Sequence, residues 1–121
     1  MKRSPIRRQS KNPLRVLRRK AWKVFADWIK ARDNFRCFTC GAEGNQAGHF
    51  LHRDCLDFTE ENIHCQCVRC NHFLNGNLAV YTIKMIKKYG LKKVEVLQRK
   101  ANIPKSFNRQ DLEEIIKKYG K

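Results

Sequence analysis

Two pairs of cysteines constrain the fold of this chain more than any other feature. Cys37-x-x-Cys40 is followed, after 26 further residues, by Cys67-x-x-Cys70. Two thiolates separated by two residues bind one ion because the chain turns back between them, and a second such pair completes the tetrahedral shell that zinc prefers. The spacing therefore predicts a structural zinc site with four thiolate ligands and no open position for water.

The chain has two more cysteines, and one of them competes for the site. Cys65 is close to Cys67 in sequence, but pairing it with Cys70 leaves four residues between the ligands, which matches the first pair less well. Disulfides are the alternative use of cysteines in a secreted chain. Residues 1–13 carry charge without the apolar segment of a secretory signal, so we expect a reducing compartment. Cys55 and Cys65 are interpreted as small thiols that fill the core.

The charge of the chain indicates a nucleic-acid partner. The chain has 27 Lys and Arg residues against 11 Asp and Glu, a formal net charge of +16, in 121 residues, which is about one domain. Neutralising phosphates is the usual reason for so self-repelling a surface, and the alternative is a basic surface without a partner. No apolar segment approaches the roughly 18 residues of a membrane span, so no membrane is expected.

Hydrophobic periodicity predicts an α+β fold that is mainly helical. Residues 1–13 are expected to form a basic, flexible arm, and residues 14–121 a single domain. Between its helices, residues 33–76 are rich in cysteine, glycine and asparagine, and two short antiparallel strands are expected there, near 47–51 and 63–66. A stretch this polar needs zinc to hold it together. Apolar residues at spacings of three and four predict helices at about 14–32, 77–89, 91–102 and 109–119.

A set of short motifs spans residues 28–81. In order along the chain they are "RD", "C-x-x-CG", "AGHF", "NIH-x-QC-x-x-CN" and "GNL-x-x-Y". In this order and spacing the segment resembles the NinG (Rap) recombination proteins of lambdoid phages. The resemblance implies an HNH nuclease with a treble-clef, ββα-metal core at about 33–76, acting on branched recombination intermediates. It also implies a phage-encoded protein in the host cytoplasm or nucleoid.

The same resemblance assigns roles to three residues. It implies that His49, in "AGHF", is the general base that activates water, and that Asn62, in "NIH", steadies the hairpin or orients that histidine. It implies that Asn71, directly after Cys70, holds a catalytic divalent ion. Each has a plainer interpretation: His49 as an ordinary hydrogen-bonded histidine, Asn62 as a turn residue and Asn71 as a helix cap.

The second ligand of that ion is left open. Many HNH sites have an aspartate directly before the base, whereas this chain, like the NinG pattern, has Gly48. We rank Asn75 first because it would lie one turn after Asn71 if the helix continued. A carboxylate would suit Mg²⁺ better than amide or imidazole groups, so the ion is expected to be Mg²⁺, Mn²⁺ or another divalent metal. The other candidates, led by His64 and His52, include Asp54, Asp57 and His72.

Basic residues on helices at both sides of the core are candidates for contact with DNA phosphates. Trp22 and Trp28 lie at helical spacing and are interpreted as core residues, with base stacking as the alternative. The phosphate-contact candidates are Arg15, Arg18, Arg19, Lys23, Lys84, Lys87 and Lys88.

These features together predict a divalent-metal-dependent DNA endonuclease that hydrolyses phosphodiester bonds. One alternative is a non-catalytic, zinc-stabilised module that binds nucleic acid during recombination. Another is a structural zinc protein of a nucleoprotein particle. The preferred DNA structure is not determined by the sequence, and a homodimer would suit cleavage of paired strands.

Overall fold

Helices make up most of the computed structural model, which describes residues 12–120. A single hairpin of two short strands lies among them, so the predicted mainly helical α+β class is confirmed for the described residues. The predicted arm at 1–13 falls outside them except for Asn12 and Pro13. The elements are α1 (Pro13–Arg32), β1 (Gln46–His49), β2 (Ile63–Gln66), α2 (Leu78–Tyr89), α3 (Leu91–Lys100) and α4 (Arg109–Tyr119).

Three short helical turns complete the region between α1 and α2. Two 3₁₀ turns, Asp54–Leu56 and Glu60–Asn62, lie between the strands, and a π-helical turn, Arg69–Phe73, follows β2. The four α-helices begin and end within two residues of the ranges that periodicity predicted. Among the described residues, no helix is long and apolar enough to cross a membrane.

Capping residues explain where α1 and α4 begin. The side-chain oxygen of Asn12 accepts hydrogen bonds from the backbone N–H groups of Leu14 and Arg15, and Pro13 occupies the first helical position. Asn108 and Asp111 form a reciprocal capping box at the start of α4. Gly90, with a φ of +91°, separates α2 from α3 in a conformation that disfavours other residues.

The hairpin has two differently occupied faces. Antiparallel pairing places Ala47 opposite Cys65, Gly48 opposite His64 and His49 opposite Ile63. Because side chains alternate along a strand, Ala47, His49, Ile63 and Cys65 share one face, which we call the α1 face. Gln46, Gly48, His64 and Gln66 share the other, which we call the α2 face. His49 and Gly48 are therefore neighbours in sequence on opposite sides of the sheet.

A separate apolar cluster covers each face of the hairpin. On the α1 face, Ile63 packs with Phe25 and Ile29 of α1 and with Tyr119 of α4. The second cluster joins Phe50, just after β1, to α2 and α3. Its other buried members are Tyr81, Met85, Val94 and Leu97. The hairpin is thus the middle layer of three, and each outer layer is helical.

The "RD" motif fastens α1 to the hairpin. The Arg32 guanidinium donates to the backbone oxygens of Glu60 (2.9 Å) and Ile63 (2.8 Å). The Asp33 carboxylate pairs with Arg32 and accepts the backbone N–H of Cys65 at 2.8 Å. Burial raises the pKa of Asp33, but these hydrogen bonds outweigh it and leave the pKa below its ordinary value. The motif therefore sets how the helix lies on β2.

Candidate functional site

The four predicted zinc ligands lie together. Cys37 and Cys40 follow α1, Cys67 directly follows β2, and Cys70 lies in the π-helical turn. Their sulfur atoms all lie within 4.8 Å of one another, and those of Cys40 and Cys67 are 3.7 Å apart. Tetrahedral zinc with bonds of about 2.3 Å places its sulfurs about 3.8 Å apart. The predicted clustering is confirmed, and these four residues can hold a metal such as zinc.

The thiols of this cluster need a cation if all are to ionise. Burial opposes ionisation of Cys37, but hydrogen bonds from the Thr39 hydroxyl and nearby backbone N–H groups lower its pKa to about 6. At Cys40 the N–H of Ala42 favours the thiolate, yet burial and the three neighbouring sulfurs raise the pKa to about 12. One thiolate thus suppresses the next, a conflict that a divalent metal removes.

The two remaining cysteines lie outside the cluster. Cys65 is fully buried in β2, where burial and the nearby Asp33 carboxylate raise the pKa of its thiol. Cys55 is partly buried and points at the backbone oxygens of Lys100 and Ala101. The interpretation of Cys65 as a core thiol is confirmed, whereas Cys55 lies at the edge of the core.

His49 lies on the α1 face with a carboxylate beside it. Its Nε2 is 3.0 Å from Oδ1 of Asp57, and its ring stacks on Trp22 at 5.1 Å with 14° between the planes. Because a carboxylate only accepts, the neutral ring carries its proton on Nε2 and keeps the lone pair on Nδ1. The His49 side chain is 21% exposed, so solvent or a ligand can approach its ring.

Asp57 connects His49 to α1. Its second oxygen accepts a hydrogen bond of 2.9 Å from the Arg18 guanidinium, which also stacks over Phe58. Burial raises the pKa of Asp57, but the hydrogen bonds from His49 and Arg18 outweigh it, so the pKa is lowered and the group stays ionised. Sequence reasoning ranked Asp57 only as a minor ion ligand and missed this pairing, since the two residues meet through a loop.

An open depression of about 590 Å³ lies in front of His49. Arg15 and Arg19 of α1 are exposed at its rim, whereas Arg18 turns inward to Asp57. The depression is therefore positively charged outside and carries a histidine–carboxylate pair inside. It is lined by Arg15, Arg18, Arg19, Trp22, Ala47, His49 and Asp57.

Asn62 is fully buried and closes the loop between the strands. Its Oδ1 accepts the backbone N–H of Leu51 at 2.9 Å, and its Nδ2 donates to the backbone oxygens of Leu51 (2.9 Å) and Leu56 (3.4 Å). No hydrogen bond joins it to His49 among the described residues. Its contacts are those of a residue that holds the hairpin loop in shape.

Asn71 lies on the α2 face. Its Nδ2 donates to Oε1 of Gln46 at 2.8 Å, and a Cβ added to Gly48 would lie 3.0 Å from its Oδ1. His49 projects from the other face of β1. The structure therefore places these two side chains on opposite sides of one strand and not in contact with each other.

The helical argument for Asn75 is wrong. The π-helical turn ends at Phe73, and Asn75 lies in the following turn with a φ of +52° and an exposed side chain. Because the helix does not continue, Asn75 is not one turn beyond Asn71. The left-handed conformation is one that asparagine tolerates better than most residues.

The other histidines have separate environments. His64 is fully buried, with its nitrogens 3.1 Å and 2.8 Å from the hydroxyls of Tyr81 and Tyr89. Burial, followed by the positive charge of Arg32, lowers the pKa of His64 to about 3. It therefore has no free nitrogen for an ion. His52 and His72 are both exposed. His52 stacks on His49, and partial burial lowers its pKa.

Gln66 is a residue that sequence reasoning missed. It is fully buried on the α2 face, and its Oε1 is the one buried side-chain nitrogen or oxygen in residues 12–120 that has no hydrogen-bond partner. A Cβ at Gly48 would overlap this oxygen. The glycine before His49 was the available signal, because it marks space that another side chain occupies.

The predicted phosphate contacts divide between two sides of the hairpin. On α1, Lys23 is exposed and pairs with Asp27. On α2, Lys84 and Lys87 are exposed, and Lys88 lies over the rings of Phe38 and Tyr89. Trp22 and Trp28 are both partly buried against the α1-face cluster, which favours the interpretation as core residues.

Comparison with known proteins places the chain in one group. The family profile described as Bacteriophage Lambda NinG protein matches residues 2–121. Protein ninG of Escherichia phage lambda is 31% identical over 104 residues, which cover 80% of this chain and 51% of that protein. Protein ninG of Salmonella phage P22 is 31% identical over 100 residues, covering 77% and 49%. The chain spans about half the length of these curated relatives. No solved structure matches it.

Proposed function

We propose that this chain, which belongs to the NinG family of lambdoid phage proteins, is a divalent-metal-dependent DNA endonuclease of the HNH type. In this proposal the hairpin and the π-helical turn form a ββα-metal unit, and zinc on the four cysteines holds that unit together without taking part in the reaction. The pairing of His49 with Asp57 inside a basic depression is the observation that carries the proposal.

His49 acts as the general base. Its Nδ1 takes a proton from water, the water oxygen forms a bond to phosphorus, and the bond from phosphorus to the leaving oxygen breaks. Asp57 accepts the Nε2–H, which fixes the tautomer, and its negative charge stabilises the imidazolium that forms. Arg15 and Arg19 bind the phosphates that flank the cleaved bond.

Asn71 holds the divalent ion that such a reaction needs. Held there, such an ion would stabilise negative charge on the phosphate and on the leaving oxygen. An amide oxygen suits Mg²⁺ or Mn²⁺, and the Oδ1 of Asn71 lies 3.0 Å from the position that a Cβ at Gly48 would take. Gly48 and His49 are consecutive, with Cα atoms about 3.8 Å apart, but they face opposite sides of β1. A phosphodiester that crosses the edge of β1 would therefore contact the ion on one side and His49 on the other.

The substrate is proposed to be DNA in branched recombination intermediates, in the cytoplasm or nucleoid of the host cell. The net charge of +16 supports a polyanionic substrate but does not choose among its shapes. Paired cuts at a junction need two active sites, and a homodimer would supply them.

The test is a cleavage assay with zinc-loaded protein and added Mg²⁺ or Mn²⁺. End-labelled Holliday junctions, flaps, D-loops and linear duplexes are compared, with binding measured in parallel. We expect His49→Ala to slow cleavage by about 10²–10⁴-fold while DNA binding is retained. His72→Ala is the matched control, because His72 is an exposed histidine on the π-helical turn.

Two outcomes contradict parts of the proposal. Equal cleavage by the parent and His49→Ala proteins removes His49 as the base. Tight DNA binding with no cleavage in either metal favours the alternative of a non-catalytic, zinc-stabilised nucleic-acid-binding module.

A further inference from the structure

We propose that the side-chain oxygens of Gln66 and Asn71 form a binding site for a divalent cation beside Gly48. This site supplies the ligand that an acidic residue at position 48 would otherwise provide. Its part in cleavage rests on the proposed function, but the binding of the cation does not.

The direction of the Gln66 oxygen is determined by its nitrogen. Nε2 donates to Oγ1 of Thr39 at 3.1 Å and to the backbone oxygen of Gly76 at 3.0 Å. A backbone oxygen only accepts, so the amide cannot be rotated to exchange its two ends. Oε1 must therefore point at Gly48, where it is buried without a partner.

A second oxygen borders the same point. The position of a Cβ at Gly48 overlaps the Gln66 oxygen and lies 3.0 Å from Oδ1 of Asn71. Any side chain at position 48 would collide with the Gln66 oxygen. The glycine therefore allows this oxygen to lie beside that of Asn71, and a buried acceptor without a partner is unfavourable unless a cation or a donor satisfies it.

The chemistry of the two ligands selects the kind of ion. Mg²⁺, Mn²⁺ and Ca²⁺ bind amide and backbone oxygens, whereas zinc prefers the thiolates nearby. Two neutral oxygens attract a divalent ion only weakly. We therefore expect weak binding in the free protein and tighter binding when a DNA phosphate adds negative charge, as is usual for Mg²⁺ at phosphate-processing sites.

The zinc cluster holds both groups that orient Gln66. Thr39 lies between Cys37 and Cys40, and its hydroxyl is 3.2 Å from the Cys37 sulfur. The N–H of Gly76 donates to the backbone oxygen of Cys70 at 2.8 Å. The structural metal and the proposed second cation are thus coupled through one amide group.

The test maps Mn²⁺ on the zinc-loaded, ¹⁵N-labelled full chain by NMR. Bound Mn²⁺ broadens nearby amide signals, so weak binding is located without measuring activity. We expect broadening centred on Gly48, Gln66 and Asn71. Gln66→Ala should weaken Mn²⁺ binding about tenfold or more. Gln98→Ala, at an exposed glutamine of α3, should leave it unchanged.

A second variant distinguishes loss of the cation site from misfolding. Removing the Gln66 amide opens the space above Gly48, so Gly48→Asp combined with Gln66→Ala should restore Mn²⁺ binding through the new carboxylate. Zinc content shows whether each variant has folded, and the map of the parent protein needs no variant at all.

The inference is overturned if broadening is absent, centres on surface carboxylates or the four cysteines, or persists in folded Gln66→Ala protein. Cleavage assays separate this from the proposed function. Cleavage that depends on His49, without Mn²⁺ at Gln66, refutes only the site. Mn²⁺ at Gln66 without cleavage of any DNA refutes only the nuclease.

Discussion

Two histidines on opposite faces of the same hairpin lie in different chemical environments. His49, on the α1 face, is partly exposed in a basic depression and pairs with the Asp57 carboxylate. His64, on the α2 face, is buried between two tyrosine hydroxyls with its pKa lowered to about 3. The ring of His64 is held neutral by burial, whereas the ring of His49 is open to a ligand and has a carboxylate beside it. The residue type alone therefore does not identify the base.

The largest expected effect comes from removing the zinc site, which holds the two faces of the hairpin in place. Cys67→Ala should lose bound zinc and unfold the hairpin, because structural zinc contributes roughly 10–16 kcal/mol of apparent free energy in zinc-finger peptides. Metal analysis and circular dichroism measure this. Cys65→Ala is the matched control and should retain about one equivalent of zinc. Loss of zinc from the Cys65 variant instead would show that the ligands were misassigned.

The next effect tests the buried histidine. The unfolded chain protonates His64 near pH 6.5 and the folded chain near pH 3, so the unfolded state takes up the proton first. The stability that depends on neutral His64 is complete above pH 6.5 and is lost as the pH falls toward 3, at about 1.4 kcal/mol per pH unit.

Denaturant unfolding between pH 6.5 and 4 measures this slope. His64→Gln should flatten it, and His72→Gln, at an exposed position, should not. Zinc release in acid affects the parent protein and both variants alike. A difference in slope between them is therefore due to His64. An unchanged slope in the His64 variant would mean that this histidine is protonated in the folded protein.

A smaller effect tests the exposed histidine through its partner. Asp57→Asn removes the charge that stabilises the imidazolium, so we expect a ten- to hundredfold lower kcat for DNA cleavage, roughly, with KM little changed. Asp54→Asn is the control, at an exposed carboxyl nearby. Equal losses in both variants would assign the effect to the loop rather than to the pair with His49.

The smallest effect asks which face meets the DNA. Replacing Arg15 and Arg19 with Gln should lower the salt dependence of DNA binding by about two units of slope, since each lost phosphate contact removes about 0.9. Replacing Lys84 and Lys87 should lower it less. A larger change from the lysine pair would place the DNA against α2 instead.

Predictions from local sequence patterns agree with the structure where local interactions decide it. The periodic apolar residues correctly predicted the four helices. The spacing of the cysteines gave the cluster. The argument for Asn75 failed because it assumed that a helix continued; the chain instead makes a π-helical turn and then a left-handed residue. The HNH roles of His49, Asn62 and Asn71 stay predictions.

The sequence by itself determined the positions of the helices, the family and the clustering of the four cysteines. Each of these depends on residues at fixed local spacing or on an ordered set of motifs. Only the tertiary structure decided that Asp57 meets His49 and that the Gln66 oxygen fills the place of a side chain at Gly48. Those contacts join separate segments across a sheet whose faces alternate with every residue. A shift of β1 by one residue in register would have turned His49 to the α2 face, away from the basic depression.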